Sequence, residues 1–157
     1  MAAQRADIGR RVLLKLSGEL LGGPRGAGLD PGGIGEIADQ IAGAASAGAE
    51  TAVVLGGGNV LRGALAGGHL GRTTADAIGM LATLVNALAM RDALQARGLK
   101  ARVLSALAIP QIADLYRADL GREALAAGQV VLLAGGTGNP YFSTDTAAAL
   151  RALELEC

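Results

Sequence analysis

The sequence predicts an α/β fold, a three-layer αβα sandwich around a mainly parallel sheet. Three observations carry this. Short apolar runs alternate along the chain with longer segments of helical periodicity. The short runs are continuously apolar rather than alternating, as strands are when helices cover both faces of a sheet. Glycine clusters stand directly after three of these runs, where tight βα turns are needed.

The elements follow in order. RVLLKL (11–16) is a strand that ends at Ser17-Gly18. A glycine-rich loop comes next. Asp30 is then a natural N-cap, and Pro31 suits the first helical position. Ile34, Ile37, Ala38 and Ile41 form one apolar stripe, and Gly48 is a stop signal. TAVVL (51–55) is a second strand, ending in Gly56-Gly57-Gly58. A long helix is predicted over 74–97, with Ile78, Leu81, Leu84, Val85, Leu88 and Leu94 on its buried side and Gly98 at its end. Its length makes it the central helix. ARVLSA (101–106) is a third strand, and Asp119 can cap a short helix through Ala127. VVLLA (130–134) is a fourth strand. Ser143 or Thr144 can cap a helix through Leu153, with Asp145 in its first turn. LELE (153–156) is read as the start of a fifth strand. No internal repeat or linker interrupts the series, so residues 1–157 are read as one domain.

Composition bounds the function. Hydrophobic residues make up 51% of the 157, enough for a substantial core. The net charge is zero and only 2% of residues are aromatic, so neither a basic field nor stacking platforms exist for nucleic acid. The single cysteine, Cys157, excludes an internal disulfide and a cysteine zinc cluster. The lone His69, in a glycine-rich loop, excludes a multi-histidine metal site, and no protein-held metal is expected. Lys15 breaks the apolar run near the start, which argues against a signal peptide. No window is read as approaching the ~18 uncharged apolar residues of a membrane span. A cytoplasmic protein without a membrane partner is the expectation.

The glycine clusters locate a candidate site. In a parallel sheet, Gly18, Gly56–Gly58 and Gly135-Gly136 all fall on the carboxyl edge, where open α/β sheets bind ligands. Glycine there lets backbone N–H groups approach an anion, and the following helix N-termini favour it. Each loop alone could be an ordinary tight turn; three on one edge point to phosphate. Neither a G-x-x-x-x-G-K-[ST] motif nor a G-x-G-x-x-G after a strand is present, which argues against P-loop and dinucleotide sites. Lys15, one of two lysines, ends an apolar strand at this edge and suits phosphate oxygens better than a snorkelling role. Arg62 could fork onto a phosphate or be a plain surface residue. Asp76 could cap the long helix or accept sugar hydroxyls. Arg91 and Asp92, mid-helix, suit packing or a subunit contact. The loop GGTGNPYFSTD holds Tyr141 and Phe142 among small polar residues, as a pocket for a small polar ligand would.

These residues are recognisable together. LLKLSGE, GLD, VVLGGGNVLRG, DAIGMLATLVNALAMRDAL and GGTGNPYFSTDTAAALRALELE, in that order, resemble bacterial uridylate kinases (UMP kinases) of the amino-acid kinase fold. LKLSG and GGGN are shared across that superfamily, while the last two stretches are more specific. The resemblance implies transfer of the ATP γ-phosphate to UMP, with Mg2+ accompanying ATP. It implies Lys15, Leu16, Ser17, Gly18, Gly58 and Arg62 on the ATP side, with Lys15, Arg62 and Asp145 at the transferred group. It implies UMP contacts from Gly57, Asp76 and the loop Thr137, Gly138, Asn139, Pro140, Tyr141, Phe142, Ser143 and Thr144. It implies GTP and UTP as effectors, with the GTP response at Gly23, Pro24, Arg25, Gly26, Ala27 and Gly28 and near Arg91 and Asp92. A homo-oligomer, hexameric in the family, is implied too. Members of that family continue past LELE. The chain is therefore expected to be the N-terminal, acceptor-binding portion, with the C-terminal portion missing. A non-catalytic UMP-binding chain is the alternative.

Overall fold

The computed structural model describes residues 11–60 and 70–157. Arg62 and His69 lie outside the described residues. The sheet is formed by β1 (Arg11–Leu16), β2 (Glu50–Leu55), β3 (Ala101–Ser105), β4 (Asp114–Leu115) and β5 (Val130–Ala134). Its order is β1-β2-β5-β3-β4, and every pairing is parallel. The helices are α1 (Pro31–Ser46), α2 (Arg72–Gln95), α3 (Ala118–Ala126) and α4 (Thr144–Leu155). A 3₁₀ helix, Gly18–Arg25, occupies part of the glycine-rich loop after β1.

Side chains alternate across a strand, and here both alternating sets are buried. Val53, Leu55, Val103 and Leu132 pack with Ile37, Ile41, Met90 and Leu94 of α1 and α2. Ala52, Val54, Leu104, Val131 and Leu133 pack with Leu125, Ala148 and Leu155 of α3 and α4. That is the three-layer sandwich, and it explains the continuously apolar strands. A fully buried Leu or Val contributes roughly 1.5–3 kcal/mol, against about 0–1 kcal/mol for an exposed ion pair. These two cores therefore hold the fold.

Local signals set several boundaries. Asp30 caps α1 by accepting from the Gly33 N–H at 2.8 Å, and Gly48 takes φ 88° past its end. Ser143 caps α4 by accepting from the Thr146 N–H at 3.1 Å.

Other expectations are corrected. LELE is not a strand: α4 runs on to Leu155, which is fully buried, while Leu153 is 80% exposed. The Leu/Glu alternation imitates strand periodicity, but Ala147, Ala148, Arg151 and Leu155 form one helical stripe. The fifth strand is β4, two residues too short to show any pattern. Asp119 does not cap α3. Arg117 occupies the N-cap without a side-chain bond, and Asp119 lies in the first turn. There it pairs with Arg117 at 2.7 Å and accepts from the Leu120 N–H, and these contacts hold its carboxyl down to about 2.

On α2, Leu84 and Leu94 are buried as expected, but Leu81 and Val85 are 48% and 43% exposed. Thr83 and Asn86 take the inward positions instead, because each finds hydrogen-bond partners there. By length and composition alone α2 is long and apolar enough to cross a membrane, but its uncharged stretch is bounded by Asp76 and Arg91 and stays short of the ~18 residues expected of a span. Its Ala87, Met90 and Leu94 are spent on the core between α1 and the sheet.

Candidate active site

The carboxyl ends of β1 and β2 are locked side by side. The Gly56 N–H donates to the Leu16 carbonyl at 2.8 Å. Gly18 sits so close to this turn that a Cβ would lie 2.4 Å from the Gly56 carbonyl oxygen and 2.5 Å from Asn59 Oδ1. No side chain fits there. Ser17 starts the 3₁₀ helix as its N-cap. Lys15, near the end of β1, pairs through Nζ with Asp145 Oδ1 at 2.8 Å. Two predicted site residues from opposite ends of the chain therefore meet at this edge.

The second wall is the loop after β5. Gly135, Gly136 and Gly138 have φ of 79°, 59° and 81°, and Tyr141 adopts 71°. A bulky residue in the left-handed region is strained. The contact that accompanies the strain is specific: the Tyr141 N–H donates to Asp76 Oδ2 at 2.8 Å. Arg72 Nε binds both oxygens of the same carboxylate, at 3.0 and 2.9 Å, and its guanidinium lies 5.3 Å from the Tyr141 ring centroid. The Tyr141 N–H, and then Arg72, hold the Asp76 carboxyl below the usual carboxylate range. Asp76 is thus no cap; α2 begins four residues earlier, with Gly71 at its N-cap.

Between these walls lies a cavity of about 170 Å³, lined among others by Gly57, Gly58, Asp76, Thr137, Asn139 and Phe142. Gly57 is pressed against α2, where a Cβ would stand 2.8 Å from the Gly79 carbonyl oxygen. Thr144, the first residue of α4, also lines the cavity. Phe142 lines this cavity. The Tyr141 ring is not part of the lining; its contribution is the backbone bond to Asp76.

The predicted effector residues do not share one hollow. Gly23, Pro24, Arg25 and Gly26 line a space between the 3₁₀ helix and α1. Gly28 is tied to Asn59, donating its N–H to the Asn59 carbonyl and accepting from Asn59 Nδ2. Arg91 pairs with the adjacent Asp92 at 3.0 Å and faces another hollow, beside Arg102 and Asp114. Among the described residues no group of three His, Cys, Asp or Glu side chains could hold a metal ion.

Sequence reasoning missed the buried polar side chains behind the walls. Asn59 and Asn86 form a reciprocal amide pair at 2.9 and 2.8 Å, and Thr83 Oγ1 accepts from the Gly135 N–H at 2.8 Å. The available signal was polar residues three apart, Thr83 and Asn86, inside the otherwise apolar GMLATLVNALAM.

The chain is similar to known proteins over most of its length. The chain is 50% identical over 149 residues to a uridylate kinase of Rhodopseudomonas palustris, covering 94% of this chain and 63% of that protein. It is 49% identical over 158 residues to a uridylate kinase of Rubrobacter xylanophilus, covering 98% of this chain and 62% of the relative. The solved UMP kinase from Bacillus anthracis superposes with a TM-score of 0.88 at 34% identity, over 94% of this chain and 61% of that one. The UMP kinase from Ureaplasma parvum gives 0.87 at 36% identity, over 94% and 64%. The chain thus spans less than two thirds of these relatives. The sequence profile of the amino acid kinase family matches residues 10–157, and the chain belongs to that family.

Proposed function

We propose that the chain binds UMP in the cavity between α2 and the loop 137–144, and that it acts as a UMP kinase, transferring the ATP γ-phosphate to give UDP and ADP. The observation that carries this is the convergence of Gly57, Asp76 and the 137–144 loop on one cavity. The names of the relatives at about half identity support the same substrate.

The chemistry suits these residues. Phosphoryl transfer needs positioning and charge neutralisation rather than a covalent nucleophile. An ammonium has three donors. Lys15 gives one to Asp145, which leaves two for phosphate oxygens. A carboxylate offers about four acceptor positions. Asp76 uses some for Tyr141 and Arg72 and keeps capacity for a ribose hydroxyl. The Gly18 and Gly58 backbone would approach the ATP phosphates, with Ser17 beside them and Arg62 towards the transferred group. Mg2+ fits this set as an ion carried by the nucleotide. Such ions are held largely by substrate phosphates and water, and no protein cage is needed. When bound, it supplies further neutralisation of phosphate charge.

GTP and UTP as effectors, a homo-oligomer and a cytoplasmic location belong to the same reading and rest on the resemblance. Because the chain spans about 62% of its curated relatives, a second reading is retained, a UMP-binding chain without turnover. The deciding measurement is ADP formation by the 157-residue chain with Mg-ATP and UMP, against CMP and no-acceptor controls. ADP with UMP alone supports the kinase. A UMP-dependent rise in melting temperature without ADP supports the second reading. Neither response overturns both.

A further inference from the structure

We propose that Thr83 and Asn86 of α2 are positioning residues for the acceptor nucleotide, holding the facing glycine loops of its pocket at a fixed separation. This rests on the UMP-binding reading above.

Burying a polar side chain is costly unless its hydrogen bonds are made. Thr83 is 3% exposed, Asn86 is fully buried and Asn59 is 2% exposed. Helix α2 therefore carries polar groups where Ala or Leu would bury at less cost. All of them are satisfied, and their partners are loops of the site. Asn86 Nδ2 donates to the Gly56 carbonyl at 2.7 Å and to Asn59 Oδ1 at 2.8 Å. Asn59 Nδ2 returns a bond to Asn86 Oδ1 at 2.9 Å and reaches the Gly28 carbonyl at 2.7 Å. Thr83 Oγ1 donates to the Met80 carbonyl at 2.7 Å and accepts the buried Gly135 N–H at 2.8 Å.

These contacts complete a set. A helix repeats every 3.6 residues, so Asp76, Thr83 and Asn86 fall on neighbouring sides of α2, about two and three turns along. Each grips a different piece of the pocket. Asn86 takes the turn that carries Gly57, Thr83 takes the start of the β5 loop, and Asp76 takes the Tyr141 end of that loop. Both loops that border the cavity are therefore tied to one helix. The turn Gly56–Gly58 and the opening Gly135-Gly136 of the β5 loop have no side chains of their own with which to set their spacing. Preorganisation of this kind raises affinity by removing the ordering cost of binding.

The test uses Thr83→Val, which keeps shape and removes only the hydroxyl, and Thr83→Ser, which keeps the hydroxyl. UMP affinity is measured by calorimetry on the 157-residue chain, with circular dichroism to confirm folding and amide NMR to follow Gly135 and Gly57. In wild type, UMP is expected to move both amides with one dissociation constant. Thr83→Val is expected to weaken UMP about tenfold and to shift the Gly135 amide even without ligand. Thr83→Ser is expected to restore both. Wild-type affinity in Thr83→Val, or equal weakness in the Val and Ser variants, overturns the proposal. Should Thr83→Val fail to fold, the wild-type titration still decides: UMP leaving the Gly135 and Gly57 amides independent of each other overturns it. A wild type that does not bind UMP overturns the acceptor reading itself, and this is distinguishable because it is seen before any substitution.

Discussion

Lys15 and Asp145 form an ion pair open to solvent, at 34% and 75% exposure. Such a pair adds under about 1 kcal/mol to stability, and under the kinase reading proposed above its use would be to aim an ammonium. If the proposed kinase reading holds, Lys15→Met should abolish phosphoryl transfer while UMP binding and the melting temperature stay near wild type, as an ADP assay, calorimetry and a melt would check. Asp76 makes a different prediction. Its carboxyl is held below its ordinary 3.8 by the Tyr141 N–H and by Arg72. A carboxylate depressed in the folded state contributes stability that is present above the unfolded value and lost as the pH falls through the folded one. The melting-temperature advantage of wild type over Asp76→Asn should therefore be full at neutral pH and vanish as the pH drops below 3.8. Lys15 was legible in the sequence because a charge ends an apolar strand beside a glycine turn, whereas Asp76 and Asp145 stood out as acids near helix starts and through the family resemblance. Thr83 and Asn86 were not legible: two polar residues in an apolar stretch mark the place, but their partners Gly135, Gly56 and Asn59 lie far along the chain and nothing local names them.

At the scale of the element, α4 joins site and core. Its first turn carries Asp145, and its last turn carries Leu155, buried against Gly121 of α3. Between them Arg151 lies 3.8 Å from the Tyr116 ring centroid and pairs with Glu154 at 2.7 Å, and Glu154 also accepts the Tyr116 hydroxyl at 2.7 Å. Burial, and then the Glu154 carboxylate, push the Tyr116 phenol up. Leu155→Ala should cost roughly 2–5 kcal/mol, read as a lower denaturant midpoint, whereas Leu153→Ala should change little because that side chain is 80% exposed. The contrast separates a helix from the strand that LELE suggests. Period-two alternation over four residues cannot tell the two apart. What decides is tertiary: a space beside Gly121 that accepts Leu155 once the helix has continued another turn.

For the whole molecule, the parallel sandwich could be read from apolar runs and glycine turns, since both follow from covering a sheet on two faces. The order of the strands could not, because nothing local states which strand becomes the neighbour of which. Central β2 and β5 are almost wholly buried, whereas β1 and β4 form the sheet edges. Hydrogen exchange should accordingly be slowest in β2 and β5 and faster in β1 and β4. Uniform protection across the five strands would contradict that order.

The place of β5 has a consequence during synthesis. It lies between β2 and β3, yet both are made before it. A nascent chain that has not yet reached Val130 holds two apolar strands with no partner to join them. Of the parts that would grip a nucleotide, Gly57 and Asp76 then exist, but the loop 137–144 that closes the other side of the cavity does not. Chains emerge at about 5–20 residues per second, so this open-edged stage lasts for seconds. An unpaired strand edge is a template for another chain, so the interval before β5 is when this fold is most open to mispairing.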